Sequence, residues 1–524
     1  MTSKASARTQ PMKSDLRVLM LGWEFPPFIS GGLGTACYGL TKALDRANID
    51  VTFVLPKSVE ESHASHVQLV SPKSAAHTRS VAAPAAPIPT GRQRIALDTP
   101  DGPRTETVDE FIVRMMPATE ERRVLGNVEF VGLPGEFPSV YGGSEPAPLT
   151  PTTRELVERI RTEGGISVDR LRVLVASGAF GGRPINDIDA TLLSVLPEAG
   201  PRDTANSAAR DGVADYGGDL IGAADRYARF AVDACRDRTF DVIHAHDWLT
   251  YPAGLALQKL TGKPLIVHVH STEFDRSGEH PNQQVYSIER RGMWGATRVI
   301  AVSMLTKNVC VNRYGVEADK IAVVYNGVDL DPKDYGIQPI HTKDRIVLYF
   351  GRITLQKGPE YFIRAAKRVL EVMSDVKFVV AGSGDQAARM IEMAAELGIG
   401  HKVLFTGFLR GKDIARVFAL ADVYVMPSVS EPFGIAPLEA ISHNVPVLIS
   451  KSSGVSEILM HALKVDFWDI EDMADKIVAV LRHPPLSRAL RDGSMFEVRG
   501  ITWDGAATQC LQTYHAAMAA AARR

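Results

Sequence analysis

Apolar positions in this chain fall into short continuous runs that alternate with stretches of helical spacing. "RVLMLGW" from Arg17 is such a run, "ACYGLTKALDRA" repeats its apolar residues at three- and four-residue steps, and "VTFVLP" is a second run. Strand, helix, strand in that order predicts the βαβ opening of a parallel sheet. The rhythm returns with "YGGDLIGAADRYARFAVDACRD", read as a long helix, and with four further strands in "FDVIHAHDW", "PLIVHVHSTEFD", "TRVIAVS" and "KIAVVYNGVD". A second series starts near residue 345: strands "RIVLYFGR", "KFVVAGSG", "VLFTGF", "VYVMPS" and "PVLIS", separated by helices "PEYFIRAAKRVLEVM", "AARMIEMAAELG", "KDIARVFALA" and one from Pro437. Each series predicts a doubly wound α/β domain.

The expected plan is a disordered polar stretch at 1–15, a Rossmann-like N-terminal domain at 16–335, a second one at 336–500, and a C-terminal helix at 501–524 that packs back on the first domain. "NGVDLDPKDYGIQPIHTK" reads as the hinge. Residues 60–215 are read as containing insertions: "SAAHTRSVAAPAAPIPT" is rich in Ala, Ser and Pro, and the signals stay weak to about residue 215. A length of 524 residues exceeds what one core supports, in agreement with two domains.

Charge narrows the function. With 59 basic against 61 acidic residues and a formal charge of −2, nothing global favours nucleic acid or an anionic membrane. Four cysteines lie far apart without a CxxC pair, which argues against a zinc knuckle or disulfide framework and fits a reducing compartment. The first fifteen residues lack a signal-peptide core, and no apolar run of about 18 residues is present. The expectation is a cytoplasmic protein with no transmembrane segment, with peripheral membrane contact left open.

Open α/β sheets hold ligands at the carboxyl ends of their strands, and four constellations stand there. In "LGWEFPPFISGGLGTA", Gly31, Gly32 and Gly34 let a backbone approach an anion at the start of a helix. In "FGRITLQKG", Arg352 and Lys357 put two cations after the first strand of the second domain. In "PSVSEPFGIAPLEA", Pro437 suits the first position of a helix, so Glu439 falls in its first turn while Glu431 stays in the preceding loop. The peptide NH groups of 433–436 are then left for ligand oxygens. The strand end "HAHDW" carries His244, His246 and Asp247; the two histidines are read as alternating in direction, and with no third-ligand pattern the expectation is no metal.

In this order, "PPFISGGLG", "HAHDW", "NGVD", "GR" with "QKG", and E-x7-E inside "SEPFGIAPLEA" resemble the retaining glycosyltransferases of the GT-B fold, in particular family 4 and the related bacterial glycogen and starch synthases. The resemblance covers 16–57 and 216 to about 512. It implies two Rossmann-like domains facing each other across a cleft, a nucleotide-diphospho-sugar donor, and no cofactor. Gly31 and Gly32 would lie against the donor diphosphate or sugar, and Arg352 and Lys357 would hold the diphosphate. His246 and Glu431 would flank the transferred sugar, with Phe433, Gly434 and Ile435 presenting backbone groups, Glu439 bonding the ribose and Asn326 touching the sugar.

The implied reaction moves a hexose, glucose foremost, from ADP- or UDP-glucose to a glucan or other carbohydrate acceptor. One position departs from the ADP-glucose synthases: they carry a lysine two residues before the glycine pair, and here Ile29 stands there, as in the family 4 form of the loop. A lipid-linked or small-molecule acceptor is therefore the alternative within the same chemistry. A nucleotide-sugar epimerase or a non-catalytic nucleotide-sugar binding protein is the alternative of another class.

Overall fold

Strands that are apolar on both faces need cover on both, and here helices supply it. The computed structural model describes residues 16–25, 32–56, 220–330 and 344–523, with backbone strands also at 68–70, 94–99, 102–107 and 128–132. The first part of the chain runs β1 (Arg17–Leu21), α1 (Gly32–Arg46), β2 (Asp50–Leu55), β3 (Gln68–Val70), β4 (Arg94–Thr99), β5 (Gly102–Thr107) and β6 (Val128–Gly132). It continues through α2 (Leu220–Cys235), β7 (Val242–His246), α3 (Tyr251–Thr261), β8 (Leu265–Val269), α4 (Glu273–Ser277), α5 (Gln283–Gly295), β9 (Arg298–Ala301), α6 (Met304–Tyr314) and β10 (Ile321–Val323).

Eight of these strands form one sheet in the order β10-β9-β8-β7-β1-β2-β6-β3, every pairing parallel, while β4 and β5 make a separate antiparallel hairpin. The order reverses direction between β1 and β7, which leaves a crevice at their carboxyl ends. Part of the stretch read as insertion belongs to the sheet, since β6 pairs with β2 from Val51↔Val128 and β3 pairs with β6. Strands of three and five residues are too short to show a period in sequence. Residues 1–15, the Ala/Ser/Pro-rich segment, Gly31 and hinge residues 331–343 lie outside the described residues.

The second sheet is built from β11 (Arg345–Phe350), α7 (Pro359–Val372), β12 (Val376–Ala381), α8 (Ala387–Glu396), β13 (Val403–Gly407), α9 (Lys412–Leu420), β14 (Val423–Met426), α10 (Ala436–Ser442), β15 (Val447–Ser450) and β16 (Leu463–Val465), followed by α11 (Ile470–Arg482) and α12 (Pro484–Val498). Its order is β13-β12-β11-β14-β15-β16, all parallel, so the switch point falls between β11 and β14. Apolar clusters fill the spaces between each sheet and its helices.

The chain passes between the two sheets twice, and the passages touch: Val328 N donates to Ile501 O at 3.1 Å. Gly327 is required there, because a Cβ would come within 2.2 Å of Trp503 N. Past this point α13 (Trp503–Ala521), N-capped by Thr502, lies against α1. The Trp503 ring covers Gly39 so closely that a Cβ would meet it at 2.1 Å, and Tyr514 reaches under the sheet to His244 Nδ1 at 2.7 Å. The last helix thus completes the core of the first sheet. Among the described residues no helix is long and apolar enough to cross a membrane.

Candidate active site

The loops leaving β11 and β14 meet at the switch point of the second sheet, and they bring together the best-placed charges. Lys357 Nζ pairs with Glu431 Oε2 at 2.5 Å, with side chains 20% and 10% exposed. Gly358, at φ +63, turns the chain into α7 where a Cβ would strike Pro427 O at 2.1 Å, so the two loops are pressed together at the backbone. Val429 N confirms the contact by donating to Gln356 O at 2.9 Å. Arg352 sits on the same loop and donates to Gln356 Oε1 at 3.4 Å.

Glu431 is fixed along its backbone as well. Its N donates to Ser452 O at 3.0 Å and its O accepts from Gly454 N at 2.9 Å, a parallel bridge one strand over. Phe433 is buried, with its carbonyl taken by Val455 N at 2.7 Å. Gly434 follows at φ +102, in the left-handed region where a side chain is strained. Ile435 then caps α10, and Pro437 stands in its first turn. Glu439 lies in that first turn too, and burial pushes its carboxyl up to about 7.

The opposite wall is the crevice of the first sheet. Gly32 is exposed at the first position of α1, which begins four residues earlier than the apolar spacing indicated. His246 ends β7 fully buried, its Nδ1 2.9 Å from His270 Nε2 and its Nε2 without a hydrogen-bond partner among the described residues. Asp247 follows at φ +57 and accepts from His270 N at 2.7 Å and Ser271 N at 3.3 Å, fixing the loop after β8; burial raises its carboxyl to about 7. Asn326 is buried on the segment leaving β10, beside Tyr325, whose hydroxyl donates to Glu457 at 2.9 Å.

Two readings of "HAHDW" need correction. His244 and His246 do not alternate in direction: a strand repeats every two residues, so they share a face, and their rings stand 4.2 Å apart. A third histidine also joins them. His268, opposite His246 in the β7–β8 register, brings three ring nitrogens within 4.8 Å of one another, a set that sequence spacing did not show. The rings satisfy much of their bonding as a stack: His244 Nε2 lies 3.2 Å from His268 Nδ1 with the planes 8° apart. Burial holds all four histidines well below the usual range, His244 and His270 at about 3, so they are neutral.

The two walls touch on either side of Glu431. Ser430 Oγ donates to Asp275 Oδ1 at 2.6 Å, and Ser303 Oγ donates to Pro432 O at 2.6 Å. Glu457 accepts from the first-turn NH groups of α6, Met304 N at 2.9 Å and Leu305 N at 2.7 Å. Asp275, Ser430, His268 and His270 were not singled out from sequence, although the run "HVHSTEFD" at a strand end carried the signal for three of them.

A lysine–glutamate pair and an arginine on the loops of one switch point, with a polar crevice at another, fit the placing of ligands at the carboxyl ends of strands in open α/β sheets. Residues 332–494 match the family described as glycosyl transferases group 1, residues 203–332 match glycosyltransferase family 4, and residues 17–99 match the starch synthase catalytic domain. An uncharacterized glycosyltransferase of Methanocaldococcus jannaschii is 32% identical over 300 residues, 53% of this chain and 76% of that protein. The chain belongs to the glycosyltransferases. The glycosyltransferase is also similar to a D-inositol 3-phosphate glycosyltransferase of Pseudarthrobacter chlorophenolicus, 30% identical over 53% of this chain and 71% of the relative. Among solved structures, sucrose-phosphate synthase of Thermosynechococcus elongatus has the same GT-B fold, with a TM-score of 0.59 at 17% identity over 96% of this chain and 100% of that one.

Proposed function

We propose that this glycosyltransferase moves a hexose, glucose foremost, from a nucleotide-diphospho-sugar to a carbohydrate acceptor with retention at the anomeric carbon and without a metal. The Lys357–Glu431 pair at the β11/β14 switch point carries the reading. Cleaving the donor bond puts negative charge on the leaving diphosphate and positive charge on the anomeric carbon. Lys357 and Arg352 answer the first, with the NH groups at the start of α10; Glu431 answers the second from the adjoining loop. In this reading the diphosphate takes Lys357 over from Glu431 as the donor binds. In this reading His246, at the end of β7, is the first-sheet residue assigned to the sugar. Glu439 accepts from the ribose, and the reaction runs in the cytoplasm.

Arg352→Ala and Glu431→Ala are each expected to abolish nucleoside-diphosphate release in the presence of acceptor while circular dichroism stays that of wild type. Full activity in both variants would remove the site from the reading. A small phosphorylated or lipid-linked acceptor competes with a glucan, and Ile29 together with the inositol-phosphate relative favours it. A panel of soluble glucan, sugar and inositol phosphates, and membrane-extracted acceptors separates the two. Turnover of the nucleotide sugar with neither acceptor nor diphosphate release would indicate an epimerase.

A further inference from the structure

We propose that Asp275 is a positioning residue: through the Ser430 hydroxyl it holds the Glu431-bearing peptide in place across the cleft. The inference rests on the glycosyltransfer reading above for its catalytic consequence, and on geometry alone for the tether itself.

Glu431 is bracketed. The residue before it is tied to the first lobe by Ser430 Oγ to Asp275 Oδ1 at 2.6 Å, and the residue after it by Ser303 Oγ to Pro432 O at 2.6 Å. The second tie belongs to a broad contact, since a Cβ on Gly454 would meet Ser303 Cβ at 2.5 Å and Glu457 caps the adjacent NH groups. On the other flank, Asp275 is the partner of the Ser430 hydroxyl among the described residues. Two peptide NH groups, Val429 N at 2.9 Å and Ser430 N at 3.4 Å, anchor the same stretch to Gln356 O on the Lys357 loop. The Ser430 hydroxyl thus connects the assembled Lys357–Glu431 unit to the first lobe.

Asp275 is prepared for this contact. Its Oδ2 is used inside α4, accepting from Thr272 N at 2.7 Å and Thr272 Oγ1 at 2.8 Å, which leaves Oδ1 directed at the cleft. A five-residue helix does not hold itself together. Here it is locked by buried charges: Arg276 donates to Glu273 Oε2 at 3.1 Å and Glu289 Oε1 at 2.6 Å, and Glu273 Oε1 accepts from Ser277 Oγ at 2.7 Å and Asn282 N at 3.1 Å. Glu273 and Glu289 are 0% and 2% exposed. Buried ionic networks often add little net stability over apolar packing, and we read this one as fixing the orientation of α4. The same loop carries His270, which meets His246. One rigid turn therefore relates the sugar-side histidine of one lobe to the carboxylate of the other.

The test is Ser430→Ala, which removes the hydroxyl and leaves the α4 cap intact. Two dyes on Leu260→Cys and Ile391→Cys, 63% and 48% exposed on opposite lobes, report the interlobe distance; the four native cysteines are buried. In the otherwise wild-type chain a narrow distance distribution is expected, and in Ser430→Ala a broader one shifted to larger values. Turnover should fall about tenfold to a hundredfold, the range for losing a hydrogen bond to a charged group, with a smaller change in donor KM. Unchanged distances in Ser430→Ala overturn the tether whatever the rate does. If the unsubstituted chain turns over no nucleotide sugar, the functional reading falls and the distance measurement still decides the tether.

Discussion

Lys357→Met separates what the Lys357–Glu431 pair does for the fold from what it does for the ligand. The substitution removes the cation 2.5 Å from a carboxylate whose side chain is 10% exposed. Ser428 Oγ still donates to Glu431 Oε2 at 3.4 Å. Stripping the partner from a fully buried charge costs about 3–5 kcal/mol, and an exposed pair contributes about 1 kcal/mol at most. The 20% exposure of Lys357 places this pair between, so the variant should lose about 2–3 kcal/mol. Glu431→Gln keeps an acceptor for the ammonium and should lose about 1 kcal/mol. The double variant removes both charges and should sit within about 1 kcal/mol of wild type. Urea denaturation of all four proteins gives the coupling, read on the transition of the second lobe because two lobes need not unfold together. Nucleoside-diphosphate titration supplies the second axis. Glu431→Gln frees Lys357 and should bind the diphosphate more tightly, whereas Lys357→Met should weaken it at least about tenfold. Additive stability losses, or tighter diphosphate binding by Lys357→Met, would refute the reasoning.

Two further outcomes follow from buried groups. Tyr514→Phe leaves His244 Nδ1 without its 2.7 Å partner inside the core, so the first lobe should lose about 1–3 kcal/mol in the same urea assay. Glu439 titrates at about 7, above the usual carboxyl range, because burial disfavours its charged form. As pH rises through 7 the group gains the carboxylate that accepts best from a ribose, so donor KM should fall between pH 6 and 8. Glu439→Gln should flatten that slope, and a slope unchanged in the variant would detach the residue from the donor.

Both sheets were legible from apolar runs because a doubly wound strand is buried on both faces and leaves no polar alternation to confuse the reading. "VIHAH" and "LIVHV" show it: every residue of β7 and β8 is buried, histidines included. The edges were less legible. β3, at three residues, and β6, at five, join the first sheet from the 60–215 stretch read as containing insertions, and β16 of the second sheet is as short as β3. Glu431 and Lys357 could be chosen from sequence by residue type and by position after a strand. Their meeting could not, because they are 74 residues apart and become neighbours only through the adjacency of β11 and β14. The Asp275–Ser430 contact spans 155 residues and two lobes, and neither residue type carries a signal by itself.

The distribution of buried charge points back to the cleft. Glu431, Asp247, Asp275, Glu273 and Glu289 are all buried, and each lies in a loop or helix that follows the carboxyl end of a parallel strand or braces one that does. Burial raises Asp247 and Glu289 to about 7, so neutral pH finds them at the edge of protonation, where the interior resists further charge. Apolar side chains often serve stability as well as buried ion pairs do. Here the cost is offset by backbone NH groups, as with His270 N and Ser271 N on Asp247, and by Arg276 between Glu273 and Glu289. Groups held this way do not reorganise when charge develops beside them, and that stiffness is what the glycosyl transfer proposed above would draw on.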